Sequence, residues 1–145
     1  MADSPKPEET ILEYGFRWFE FHAAQRITTF NFYLVMYSGL VAVEAFFVKE
    51  KIRLGSIAIS LILIAMSVLF WQLDVRNRQL ISIGESILTR GWTANGLDET
   101  LNPVALSAIR QPVGFRYKEL FGAIFALGAI GGVVTFSYAV YLATP

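Results

Sequence analysis

The chain has 145 residues, of which 54% are hydrophobic, 14% aromatic and 17% charged, with a mean hydropathy of +0.49. Such a balance fits a membrane protein better than a water-soluble domain. Twelve basic and twelve acidic residues cancel, which removes the basic excess of a nucleic-acid binder, and the lack of cysteine excludes disulfides, thiolate zinc sites and cysteine nucleophiles.

Residues 1–9, MADSPKPEE, are polar, acidic and proline-bearing. They read as a disordered N-terminus without the basic-then-apolar pattern of a cleaved signal peptide, so insertion is expected to be directed by the apolar helices themselves. Glu8 and Glu9 suit a helix start, where they oppose the positive end of the dipole.

Residues 10–26 have helical periodicity. Leu12, Phe16, Phe19 and Ala23 fall on one stripe, and Glu13 and Arg17 make an i,i+4 pair. The segment reads as a cytoplasmic stalk packed on a partner helix. The competing reading is an interfacial helix with Trp18 among lipid headgroups, but the local acidity disfavours anionic lipid.

Residues 27–48 form the first expected span. Twenty-two residues at about 1.5 Å each reach about 33 Å, enough for a hydrocarbon core of about 30 Å. Asn31, Ser38 and Glu44 interrupt it and are its polar, pore-facing candidates. For Asn31 a helix–helix hydrogen bond is the plainer reading. For Glu44 it is an interfacial ion pair with Lys49 or Lys51, a buried or partner-pairing acid being the alternative.

The charged link KEKIRL implies a tight hairpin. Residues 55–73, GSIAISLILIAMSVLFWQL, carry no charge and cross back, with Ser56, Ser60 and Ser67 permitting close helix approach and Trp71 at the exit. Residues 74–90 continue the helix into water, with a stripe of Leu73, Leu80, Gly84 and Ile87 and with Gly91 as terminator. This extension is expected to pack antiparallel on residues 10–26. Residues 91–118 read as a turn-rich loop holding one short helix at 103–110. Residues 120–143 form the third span, whose Gly122, Gly128 and Gly132 make small-xxx-small faces suited to packing within the protomer or to contact between subunits.

The expected fold is therefore an all-α membrane protein with three transmembrane helices, the first two prolonged into cytoplasmic stalk helices. Nine of the twelve Lys and Arg residues fall on the N-terminal side of the spans and three (Lys49, Lys51 and Arg53) on the other, so the N-terminus is expected to be cytoplasmic.

No phosphate loop, metal-ligand spacing or paired-carboxylate motif appears, and the parts outside the spans are too small for an enzyme domain. The expectation is a non-enzyme without cofactor or metal. His22, the one histidine, follows Arg17 in the spacing R-x4-H used by a class of helical ribonucleases, although Trp18 stands where those have a polar residue. Packing within the stalk is the plainer role for His22. Arg76, Asn77, Arg78 and Glu85, below the second span, read as stalk or gate residues, by salt bridging or by contact with a phosphate-bearing ligand.

RITTFNFYLV and LDVRNRQLISIGESIL carry a resemblance, over residues 16–88, to small membrane proteins of bacterial defence loci. The chain is similar in layout to the accessory membrane protein encoded beside type VI-B CRISPR effectors. The resemblance implies a homo-oligomeric pore in the bacterial inner membrane, able to depolarise an infected cell and answering to a cytoplasmic defence protein. In that group an arginine–histidine nuclease motif has been discussed, which only Arg17 and His22 could supply here. The leading expectation is thus a pore-forming or membrane-perturbing subunit contacting membrane lipid, with no direct nucleic-acid partner. The alternatives are a membrane adaptor that recruits a cytoplasmic partner through its stalks and a membrane-bound RNA-cleaving protein.

Overall fold

A computed structural model describes residues 7–98, 100, 102, 104 and 117–141, with side chains from 11 onward in the first stretch and from 119 in the last. All its regular elements are helical: α1 (Pro7–Lys49), α2 (Arg53–Ala94) and α3 (Tyr117–Tyr141). Each is long and apolar enough to cross a membrane, with mean hydropathies of 1.5, 2.3 and 2.0 over their most apolar stretches.

Helix α1 begins earlier than residue 10. Pro7 opens it, because proline has no N–H to leave unpaired at the first helical position, and Glu8 and Glu9 then sit in the first turn. Helices α1 and α2 close with the same device. At the end of α1, Ile52 N–H donates to the Phe47 carbonyl (2.9 Å) and Lys51 N–H to Val48 (3.2 Å), with Lys51 at φ 56°. At the end of α2, Leu97 N–H donates to Trp92 (3.3 Å) and Gly96 N–H to Thr93 (3.1 Å), with Gly96 at φ 63°. Both are left-handed caps that satisfy the last carbonyls. Gly91, expected to end α2, is instead buried mid-helix, and Gly96 performs the termination. The expected short helix at 103–110 lies outside the described residues, apart from Val104.

The chain divides into two units. Unit 1 comprises Met1–Ile27 and Val75–Phe115. In it α1 and α2 run antiparallel, and three glycines set the approach. A Cβ on Gly15 would meet Ile87 and Leu88 at 3.0 and 3.2 Å. One on Gly84 would meet Trp18 at 3.1 Å and Phe19 at 3.3 Å, and one on Gly91 would meet Leu12 at 2.9 Å. The Trp18 indole N–H donates to the Leu80 carbonyl at 3.0 Å. The seam therefore runs through Leu12, Gly15, Phe19 and His22. The expected stripes share Leu12, Phe19, Gly84 and Ile87 with this seam, whereas Phe16 is 46% exposed and Leu73, which falls in unit 2, is 44% exposed.

Unit 2 comprises Thr28–Asp74 and Arg116–Pro145. Its core is aromatic. Phe30 stacks on Phe121 at 3.8 Å, and Tyr33 meets Phe125 edge-on at 4.7 Å and Phe70 at 5.3 Å. Gly132 brings α3 onto α2, where an added Cβ would lie 2.7 Å from Ile64 and 3.2 Å from the Ser60 carbonyl.

Candidate functional site

Unit 2 concentrates its buried polar groups along the face of α2 marked by Ser56, Ser60 and Ser67, at helical spacings of four and seven. All three are nearly inaccessible, at 3%, 0% and 1% exposure. In the middle of the unit, the Tyr33 hydroxyl lies 3.1 Å from Ser67 Oγ, which itself donates to the Leu63 carbonyl at 2.9 Å. Tyr33 is therefore the donor of the pair. The neighbouring Tyr37 hydroxyl donates to the Gly128 carbonyl of α3 at 2.9 Å. Gly128 has to be glycine here, since a Cβ would overlap the Tyr33 hydroxyl and lie 2.8 Å from Ser67 Oγ.

Toward the α1–α2 turn stands the second cluster. Glu44 of α1 is 4% exposed. Its Oε1 accepts from Ser56 Oγ at 2.5 Å and from Ser60 Oγ at 3.2 Å, while Ser60 Oγ also lies 2.9 Å from Thr135 Oγ1 of α3. Thr135 Oγ1 lies in turn 3.2 and 3.1 Å from the carbonyls of Gly131 and Gly132. Each hydroxyl has one proton, so the chain has two polarities. In one, Thr135 donates to Ser60 and Ser60 to Glu44. In the other, Ser60 donates to Thr135 and Thr135 to a helix carbonyl.

This placement corrects the interfacial ion-pair reading of Glu44. Among the described residues no ion pair joins it to Lys49 or Lys51, both of which are exposed. The cause is the serine pair: helix α2, entering straight after a three-residue turn, brings Ser56 and Ser60 against the carboxylate.

The other polar candidates of the first span lie elsewhere. Asn31 and Ser38 are exposed, and Ser38 Oγ donates to the Val35 carbonyl of its own helix at 2.9 Å. With Val35, Ala42 and Ala45 they make an exposed stripe on α1, opposite the side that buries Tyr33 and Glu44. Of the α3 glycines, Gly128 and Gly132 are used within the protomer, whereas a Cβ on Gly122 would meet nothing within 4 Å. Gly122 lines an apolar groove of about 370 Å³ with Ser67, Val68, Trp71, Phe125 and Ala126.

In unit 1, Arg17 and His22 are not brought together. A five-residue step turns a helix by about 140°. Arg17 is exposed and pairs with Glu13 at 2.7 Å. His22 is 8% exposed, held by rings of Trp18 (4.6 Å) and Phe21 (5.1 Å), with Nδ1 3.2 Å from Gln25 Oε1. The R-x4-H spacing thus does not build one cleft within the protomer. Arg76 is exposed, Asn77 is buried at 6%, and Arg78 and Glu85 are half-buried. Among the described residues, no group of three His, Asp or Glu side chains has metal-binding geometry.

The loop after α2 is held by Asp98. Its Oδ1 accepts the Thr100 backbone N–H at 2.9 Å and the Thr100 hydroxyl at 2.8 Å, which hold the carboxyl below its ordinary range. The Trp92 indole N–H donates to the Asp98 carbonyl at 2.9 Å.

No protein-family model, curated protein or solved structure matches the chain.

Sequence reasoning found the three serines as spacers but not their role as donors, and it missed Tyr33, Tyr37 and Thr135. The available signal was the serine period itself: a polar stripe on an otherwise apolar helix needs acceptors opposite it.

Proposed function

We propose that the chain is one subunit of a homo-oligomeric pore in a bacterial inner membrane, with its N-terminus cytoplasmic, acting as a membrane-perturbing effector in antiviral defence. The observation that carries this reading is the outward stripe of α1. Asn31 and Ser38 stand exposed there among Val35, Ala42 and Ala45, turned away from the packed side of their own unit. A carboxamide facing hydrocarbon is unfavourable unless it meets a partner helix or water. Three helices do not enclose a water-filled path alone, whereas a ring of copies with this stripe inward does so. Glu44 is buried inside its unit and is left out of the lining. The defence setting and the inner-membrane location rest on the resemblance of RITTFNFYLV and LDVRNRQLISIGESIL described above.

Liposome flux tests the reading. Purified protein should release a trapped dye as an oligomer, and in this cysteine-free chain Ser38→Cys treated with a charged thiol reagent should reduce the flux severalfold. A monomer by mass that releases nothing under any trigger would overturn it.

A second reading, a membrane adaptor for a cytoplasmic protein, is favoured by Tyr14 and Phe21, 56% and 65% exposed on α1 of unit 1. A co-purifying partner lost on Tyr14→Ala/Phe21→Ala, without any flux, would select it.

A further inference from the structure

At the turn end of unit 2 three helices meet around a single carboxylate. Glu44 comes from α1, Ser56 and Ser60 from α2 and Thr135 from α3. Two hydroxyls occupy Oε1, while Oε2 is buried and accepts no hydrogen bond. The other titratable groups at this end are Lys49, Glu50, Lys51 and Arg53 near the turn and Tyr138 and Tyr141 on α3. None makes an ion pair or a hydrogen bond with Glu44. A full negative charge enclosed in this way bears a desolvation cost, and only one of its two oxygens has donors.

We propose that Glu44, Ser56, Ser60 and Thr135 form a binding site for one small monovalent cation, a proton or a sodium ion. The donor set is all oxygen, which suits hard cations. It carries one negative charge, so a monovalent cation leaves the site neutral and a divalent one leaves a buried positive charge. Linked oxygens stand 2.5 to 3.2 Å apart, in hydrogen-bond contact, so the site takes a proton as it stands, and a sodium ion enters only as the serine hydrogens turn away and the oxygens part. The proton sits on Oε2 as a covalent O–H. When sodium enters, that O–H bond breaks and the proton leaves to water. Ser56 and Ser60 then present lone pairs to the ion, Ser56 turning its hydrogen to the Ile52 carbonyl one turn back, as Ser67 does to Leu63. Ser60 in turn donates to Thr135, and Thr135 to the Gly131 or Gly132 carbonyl, so occupancy on α1 reverses the hydrogen-bond direction on α3. The site is complete within one protomer and holds whether or not copies assemble.

The test is modification of the full-length protein in detergent by dicyclohexylcarbodiimide at fixed pH. The reagent takes the carboxylic proton, the carboxylate adds to its central carbon, and the O-acylisourea rearranges to a stable N-acylurea, so the chain gains the whole reagent mass. We expect the Glu44 peptide to be modified, and modified severalfold more slowly in sodium chloride than in choline chloride. Modification insensitive to sodium supports the proton alone as occupant. An unmodified Glu44 with an unfolding midpoint raised by sodium over choline supports sodium alone. Glu44 left unmodified, with equal midpoints in the two salts, overturns the proposal. Glu44→Gln should abolish modification of that peptide, and Ser60→Ala, which keeps the carboxyl, should weaken sodium protection. Unchanged protection in Ser60→Ala would remove the hydroxyl chain from the site.

Discussion

Lys51 occupies a left-handed cap position that glycine usually fills, at φ 56°. A side chain there costs about 1 kcal/mol. Lys51→Gly is therefore expected to stabilise the protein by up to about 1 kcal/mol, read as a higher unfolding midpoint in detergent. The α3 glycines divide in the opposite sense. Gly132→Ala places a methyl group 2.7 Å from Ile64 and 3.2 Å from the Ser60 carbonyl, and should cost about 1–3 kcal/mol. Gly122→Ala meets nothing within 4 Å and should be neutral or stabilising by up to about 1 kcal/mol through helix propensity. If the Gly122 substitution alone lowers the oligomer-to-monomer ratio, that face is the subunit contact. If neither residue affects assembly, another face is used. Hydropathy treats these glycines alike, because it registers smallness without registering what stands opposite.

At the scale of helices, the apolar stretches and the antiparallel pairing in unit 1 were legible, and the facing of the helices only in part, at Leu12, Phe19, Gly84 and Ile87. Apolar periodicity places Phe16 on the seam, whereas the seam follows Gly15 and His22, residues to which a hydrophobic pattern gives no weight. The seam also includes a polar lock that periodicity does not reveal, from the Trp18 indole to the Leu80 carbonyl. Trp18→Phe should cost about 1 kcal/mol for the lost hydrogen bond, the Leu80 carbonyl keeping its partner within the α2 ladder, and should be measured as faster amide exchange in α2. Likewise, helix ends follow caps and not charge. Gly91 follows Arg90 and looks like a stop, yet the left-handed residue is Gly96. Beyond that cap, the Asp98 carboxyl is held below its ordinary range by Thr100. A depressed folded-state value means that the contribution is present above the unfolded-state value and is lost as pH falls through the folded one. The loop should accordingly loosen on acidification below the carboxylate range, visible as a change in Trp92 fluorescence that Asp98→Asn makes pH-independent.

For the molecule as a whole, length and hydropathy alone establish three helices able to cross a membrane. The buried carboxylate stood only as the alternative at this scale, because five positions separate Glu44 from Lys49 and a linear reading pairs them. Only folding the turn back brings Ser56 and Ser60 to the acid. The charge bias of the chain makes a separate prediction about orientation. A cysteine at Thr10 should be shielded from an impermeant thiol reagent added to intact cells, and one at Glu50 should react; the reverse pattern would invert the topology.

The three-residue turn between α1 and α2 also sets an order of assembly. Those helices need almost no search to find each other, whereas α3 lies beyond the whole stretch 95–116 and must dock after them. A nascent chain halted before α3 would already hold Glu44 beside Ser56 and Ser60 but would lack the Thr135 hydroxyl. The expectation is that a chain arrested after α2 leaves the acid half enclosed, read as faster carbodiimide modification of Glu44 than in the full-length chain.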